Sequence, residues 1–160
     1  PLNFFYLGHI ARALPAASII VLRRHPLDTG LSNFRQLFAT RFPYYEYAHD
    51  LRDIGRYYVQ FDRLIAHWRA VLPGRVHEVQ YEALVADQRA ETVRLLAHCR
   101  LPWEEACLHF ERNQRAVASA SAVQVRQPLY ASSVGRWRRF ERHLQPLIDE
   151  LQAAGVPVTD

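Results

Sequence analysis

One stretch sets the frame for this chain. From Ser18 to Leu22 it reads SIIVL, a continuous β-branched run of strand length, and Arg23, Arg24, His25 and Pro26 close it at once. An apolar run without polar alternation is the pattern of a strand buried on both faces in a parallel sheet. Helical periodicity flanks it. Leu2, Phe5, Tyr6, Ile10, Ala13 and Leu14 recur at three and four residues and predict a short amphipathic helix ending at Pro15. On the other side, Pro26 and Asp28 suit the first turn of a new helix whose inner face is Leu31, Phe34, Leu37 and Phe38.

Beyond an aromatic loop, Leu51, Ile54, Tyr58, Phe61, Ile65, Trp68 and Leu72 give the strongest helical pattern, stopped by Pro73 and Gly74. Val76 to Gln80 is a second strand candidate, followed by Tyr81, Glu82 and an amphipathic helix from about Asp87 to Cys99. Pro102 and Trp103 open another short helix, residues 116–122 read as loop or helix start, and Val134 to Leu151 closes with a helix restarted at Pro146. This order is α/β, and 160 residues correspond to one domain. With 49% hydrophobic and 22% charged residues the composition is globular, which excludes disordered, collagen-like and purely coiled-coil chains.

Other function classes fall away on specific grounds. The longest apolar run, Ala16 to Leu22, is too short to cross a bilayer, and a soluble, cytoplasmic protein is expected. Cys99 and Cys107 are too few for a disulfide scaffold, and no C-x₂₋₄-C pair joins them to His98 and His109, so no metal site is expected. All 20 basic residues are arginine, against 16 acids, for a net charge of +4. Arginine forks suit carboxylate, phosphate and sulfate oxygens, although a GC-rich genome gives the same bias. The run Arg136 to Arg142 (RWRRFER) has the interleaved basic and aromatic character of a nucleic-acid patch, yet its acids and the modest overall charge argue against that partner.

The segment SIIVLRRHPLDTGLSNF is where chemistry concentrates. A strand that delivers Arg24 at its carboxyl end and turns into a helix bearing Ser32 is a physical recipe for holding a phosphate: free N–H groups, a positive helix end, a hydroxyl and a bidentate fork. The same residues also suit a structural salt bridge at Arg24 and a solvated Ser32.

RRHPLDTGLSNF resembles the 3′-phosphate-binding motif of sulfotransferases, R-[ND]-P-x-D-x-x-x-S, with Arg24, Pro26, Asp28 and Ser32 in register and His25 in place of the usual Asn or Asp. The resemblance continues through PLNFFYLGHIARALPAASIIVLRR, YYVQFDRLIAHWRAVLP, VQYEALV and SASAVQVRQPLYASSVGRW, covering nearly the whole chain in order. It is closest to bacterial sulfotransferases that often follow tetratricopeptide repeats, and more distant from tyrosylprotein sulfotransferases. It implies a P-loop-type sulfotransferase fold, a parallel sheet flanked by helices, present here as an incomplete, helix-rich carboxyl-terminal part.

It further implies 3′-phosphoadenosine 5′-phosphosulfate (PAPS) as sulfuryl donor, with Arg24 and Ser32 on the 3′-phosphate. Tyr81 would contact the adenine or its neighbouring phosphate, Ser121 would be a further nucleotide contact, Arg136 would sit on the phosphate side, and Arg126 is a weaker candidate. Each has a plain alternative: Tyr81 at the sheet edge, Glu82 paired with an arginine, Ser121 as an N-cap, Trp137 and Phe140 as core. The family's 5′-phosphosulfate loop and its Glu or His base do not occur in these residues. Residues 1–160 are therefore expected to be one sulfotransferase domain truncated at its amino end, without methionine, with the base upstream of Pro1 and no turnover alone. The acceptor, whether protein, carbohydrate or small molecule, is unassigned, with Phe42 to Tyr47 a guess at one wall of its pocket. The rival reading is a non-catalytic, arginine-rich α/β module that binds nucleotide, nucleic acid or a protein partner.

Overall fold

The computed structural model describes residues 2–36, 38, 43–113, 115–116 and 124–159. A 3-10 turn, Asn3–Tyr6, leads into helix α1 (Leu7–Ala13), which ends before Pro15. Strand β1 (Ile19–Arg23) follows, then helix α2 (Pro26–Arg35) and the long helix α3 (Leu51–Val71). Strand β2 (Val76–Gln80) lies parallel to β1, with Ile19 opposite Val76 and Arg23 opposite Gln80. A parallel pair needs a long crossover, and α2 and α3 supply it. Helices α4 (Tyr81–Ala86) and α5 (Gln88–Cys99) come next, then a 3-10 segment Glu105–Arg112. A second 3-10 segment, Arg136–His143, precedes α6 (Gln145–Ala153). The chain is thus helix-rich α/β, and among the described residues no helix is long and apolar enough to cross a membrane.

Two of the periodic patterns resolve differently from expectation. Strand β1 buries only one face: Ile19 and Val21 pack with Leu7 and Ile65, while Ile20 and Leu22 are 46% and 59% exposed. The cause is the width of the sheet, which among the described residues has two strands. The second face is covered over β2, where α4 and α5 pack and Val79 is buried, and left open over β1. Helix α2 buries Leu27, Gly30 and Leu31 but not Phe34, because the helix stops at Arg35 and Gln36 is extended; Leu37 lies outside the described residues.

The main core forms where α2, α3 and α6 meet. Leu27, Leu31, Ile54, Tyr58, Leu147 and Leu151 are its centre, and Trp137 joins it from the 3-10 segment. Asp50 caps α3 by accepting from Arg52 N (2.7 Å) and Asp53 N (3.2 Å). The helices approach closely through glycines: a Cβ on Gly55 would lie 2.8 Å from Glu150 Cβ, and one on Gly30 would overlap Leu147 Cδ2. The carboxyl-terminal pattern is split in two, with Pro146 in the first turn of α6, where its missing N–H costs no hydrogen bond.

Because Gly30 is seated against a fully buried Leu147, Gly30→Ala is expected to destabilise the chain by about 1–3 kcal/mol through overpacking. Urea unfolding checks this, and the loss should shrink in a Leu147→Ala background, where the colliding methyl is gone.

Candidate functional site

At the carboxyl end of β1 a cavity of about 720 Å³ opens between α2, α3, the start of α4 and residues 130–136. Arg24, Ser32, Tyr81 and Arg136 all line it, although they come from three separate parts of the chain. Ser121 lies outside the described residues. Arg126 is not on the cavity wall; its Nη2 donates to the Arg115 carbonyl at 2.7 Å. Of the aromatic stretch from Phe42, Tyr47 reaches the wall, stacked on Tyr57 at 3.8 Å between ring centres, and Phe42 is outside the described residues.

The local geometry follows from the turn between β1 and α2. Arg23 and Arg24 both border the cavity but take different partners. Arg23 is consumed by structure: its Nε meets Glu78 at 2.5 Å and its Nη1 meets Asp62 at 2.6 Å, bracing β1 against β2 and α3. Arg24 turns over the strand end, where the Tyr58 hydroxyl donates to its carbonyl at 3.4 Å. Its Nη2 donates to the Ser133 carbonyl and lies 3.5 Å from Asp28 Oδ2, and its guanidinium stands 5.3 Å from the centre of the Tyr81 ring. Its Nε is buried and has no hydrogen-bond partner among the described residues. Arg24 is therefore both salt-bridged and incompletely satisfied.

Asp28 is fully buried and accepts hydrogen bonds from the backbone N–H of Gly135 (2.7 Å) and Trp137 (2.9 Å). Tyr81 donates its hydroxyl to the Tyr130 carbonyl at 3.4 Å, and Glu82 accepts from His25 N at 2.9 Å instead of pairing with an arginine. Trp137 is core, as its type suggests, and stacks on the His25 ring at 5.2 Å between centres.

The start of α2 is less open to an anion than the sequence suggests. His25 Nδ1 accepts from Leu27 N at 3.2 Å, and Ser32 stands near the far end of the helix, not in its first turn. The imidazole nitrogen does what an Asn or Asp oxygen would do at the N-cap, which accounts for His25 in a motif that usually carries those residues. Sequence reading also missed Arg35. It follows Ser32 by three residues, so the two share a helix face. Arg35 and Arg136 both line the cavity and make no hydrogen bond or ion pair with the described residues. With Arg23 neutralised, the wall carries Arg24, Arg35 and Arg136 against the single acid Asp28. Such a surface attracts an anion, and among the described residues no group of acids, histidines and cysteines is arranged to hold a metal.

Burial holds the His25 imidazole below its ordinary value of 6.5, against the opposing pull of Asp28 and Glu82 and with a further push from Arg138. A depressed histidine binds more protons unfolded than folded, so its contribution to stability is full above 6.5 and is lost as the pH falls below it. His25→Asn keeps a capping acceptor and removes that proton. Melting temperature measured from neutral to acid pH should therefore fall less steeply for His25→Asn than for the wild type, and parallel curves would exclude the linkage.

A cationic cavity at the end of a parallel strand, built on a cap-and-turn that reads RRHPLDTGLS, now meets the comparisons with known proteins. The sequence profile described as "Sulfotransferase family" matches residues 1–105. A curated relative from Aquifex aeolicus (strain VF5), described as "Uncharacterized protein", is 39% identical over 152 residues, covering 95% of this chain and 20% of its own length. The chain thus spans about a fifth of that relative. The match runs through α1, β1, α2, α3 and β2, the elements that carry and frame Arg24 and Ser32. On these grounds the chain belongs to the sulfotransferase family.

Proposed function

We propose that this chain forms the 3′-phosphate and adenine side of the donor site in an enzyme that transfers a sulfuryl group from PAPS to a hydroxyl or amine acceptor. The observation that carries the reading is the buried Nε of Arg24, unpartnered among the described residues, on the wall of a cavity rich in arginine. A buried donor left unmade costs about 1–3 kcal/mol, and a phosphate oxygen would satisfy it with a charge-assisted hydrogen bond. The donor site therefore fits the residues present. Arg24 would give its fork to the 3′-phosphate, Ser32 a hydroxyl and Arg136 a second cation. Tyr81 would contact the adenine or its neighbouring phosphate, and Ser121 would add a further contact.

When bound, PAPS supplies the reactive sulfuryl group: the sulfur–oxygen bond to its 5′-phosphate breaks as a bond to the acceptor oxygen or nitrogen forms. The acceptor proton passes to a base. The residues of this chain orient the donor and neutralise its charge, which places them on the positioning side of catalysis. Among the described residues β1 has one unpaired edge, and Leu22 is exposed beside the cavity, which supports a donor site completed by a neighbouring strand outside residues 1–160. That segment would bring the 5′-phosphosulfate turn and the base, so residues 1–160 are one portion of a single cytoplasmic sulfotransferase domain. No turnover is expected from them alone.

Titration calorimetry with adenosine 3′,5′-bisphosphate and with 5′-AMP tests the reading. The bisphosphate should bind more tightly by about 2–4 kcal/mol, roughly 30- to 900-fold, and Arg24→Ala should abolish that preference. Equal binding of the two nucleotides would overturn the assignment. Affinity that ignores the 3′-phosphate and falls steeply with salt for any nucleic acid would favour an arginine-rich binding module instead.

A further inference from the structure

Residues 130–135, irregular and turn backbone that leads into the 3-10 segment, form with Arg136 and Trp137 a strap beside the cavity and contribute Tyr130, Ser132, Ser133 and Arg136 to its wall. Three ties hold the strap in place: the Tyr81 hydroxyl at the start of α4 to the Tyr130 carbonyl and, from the motif, the Arg24 guanidinium to the Ser133 carbonyl and Asp28 to the Gly135 and Trp137 N–H groups. The last tie brackets Arg136 on both sides. Gly135 sits at φ +67, the left-handed region, which turns the chain so that both neighbouring N–H groups reach one carboxylate.

We propose that Asp28 is a positioning residue: its buried carboxylate latches the strap at Gly135 and Trp137 and so holds Arg136 against the anion cavity. This rests on the donor-site reading above and goes beyond it, since Asp28 itself need touch no ligand. The latch also explains why an acid stands beside an anion site. As a charge alone, a carboxylate 3.5 Å from Arg24 weakens the site for anions. Its benefit is the placement of Arg136, 108 residues further along the chain.

Asp28→Asn separates the two effects by sign. The variant keeps the shape, removes the negative charge, and presents an amide that cannot accept from both N–H groups. If Asp28 were only a neighbouring charge, adenosine 3′,5′-bisphosphate would bind more tightly. As a latch, its loss should weaken binding by tenfold or more while 5′-AMP changes less than twofold. In an Arg136→Ala background the same substitution should then add less than a twofold loss. Amide exchange followed by nuclear magnetic resonance provides an arm that needs no nucleotide: the Gly135 and Trp137 amides should exchange at least tenfold faster in Asp28→Asn, with α3 unchanged. Should Asp28→Asn fail to fold, Gly135→Ala, strained at its positive φ, loosens the strap from the other side and is expected to show the same pattern. If the wild type binds no bisphosphate, the donor reading fails and the exchange arm alone decides the latch. Unchanged exchange at Gly135 and Trp137, or tighter bisphosphate binding in the variant, overturns the proposal.

Discussion

A carboxylate without water is the constraint around which the site is arranged. Asp28 has no solvent-exposed side chain, and an ion in that position is tolerated only if hydrogen bonds and charge replace what water gave. Nothing on α2 itself can supply both donors, so they come from Gly135 and Trp137, far along the chain. One burial event therefore fixes three things together. It anchors the strand-to-helix turn, brings Trp137 onto His25 and into the core, and lays residues 130–136 along the cavity. Core and site share a boundary, and Trp137 belongs to one while Arg136 belongs to the other.

The contrast between Arg23 and Arg24 shows how local geometry divides one sequence feature between structure and chemistry. Both are arginines at the end of the same strand. Arg23 still belongs to β1, and the pleat turns it toward Glu78 on β2 and Asp62 on α3, two carboxylates that hold it in the charged form. Arg24 is past the ladder and meets carbonyl oxygens, one half-shared carboxylate and the cavity. A cation with full carboxylate partners is a brace, whereas Arg24 keeps a buried donor that no described residue fills. Adjacent positions therefore have different partners, and the end of the ladder divides them.

Much of this was legible because it rests on short-range rules. The three-four spacing from Leu51, the stop at Pro73 and Gly74, the β-branched runs and the amphipathic pattern from about Asp87 are all local signals, and α3, β2 and α5 lie where those signals put them. The exposure of Ile20 and Leu22 was not legible, since an apolar strand reads the same whether its second face is covered or bare. Four of the five named site residues share one cavity, and the fifth, Ser121, falls outside the described residues. What the sequence could not show was the connection between them. No spacing rule links Asp28 to Gly135, and Arg35 carries no motif of its own. Its place on the wall follows only once α2 is known to run along the cavity.

The bare edge of β1 and the unfilled guanidinium of Arg24 are two forms of the same physical condition. A parallel strand is ordinarily paired on both sides and covered on both faces, and a long exposed apolar edge invites association. Beside that edge the open face of β1 carries Ile20 and Leu22, while Arg23 is tied to Glu78 and Asp62. Leu22 also lines the cavity, so the unpaired edge and the unpaired cations face a common space. A neighbouring strand that paired with β1 would bring its own covering layer over Ile20 and Leu22 and, by the rule that ligands gather at the carboxyl ends of parallel strands, would end beside Arg24. Completing the sheet would then also bring a second strand end to the arginine-lined cavity, and the hydrophobic gain of the former would help assemble the latter.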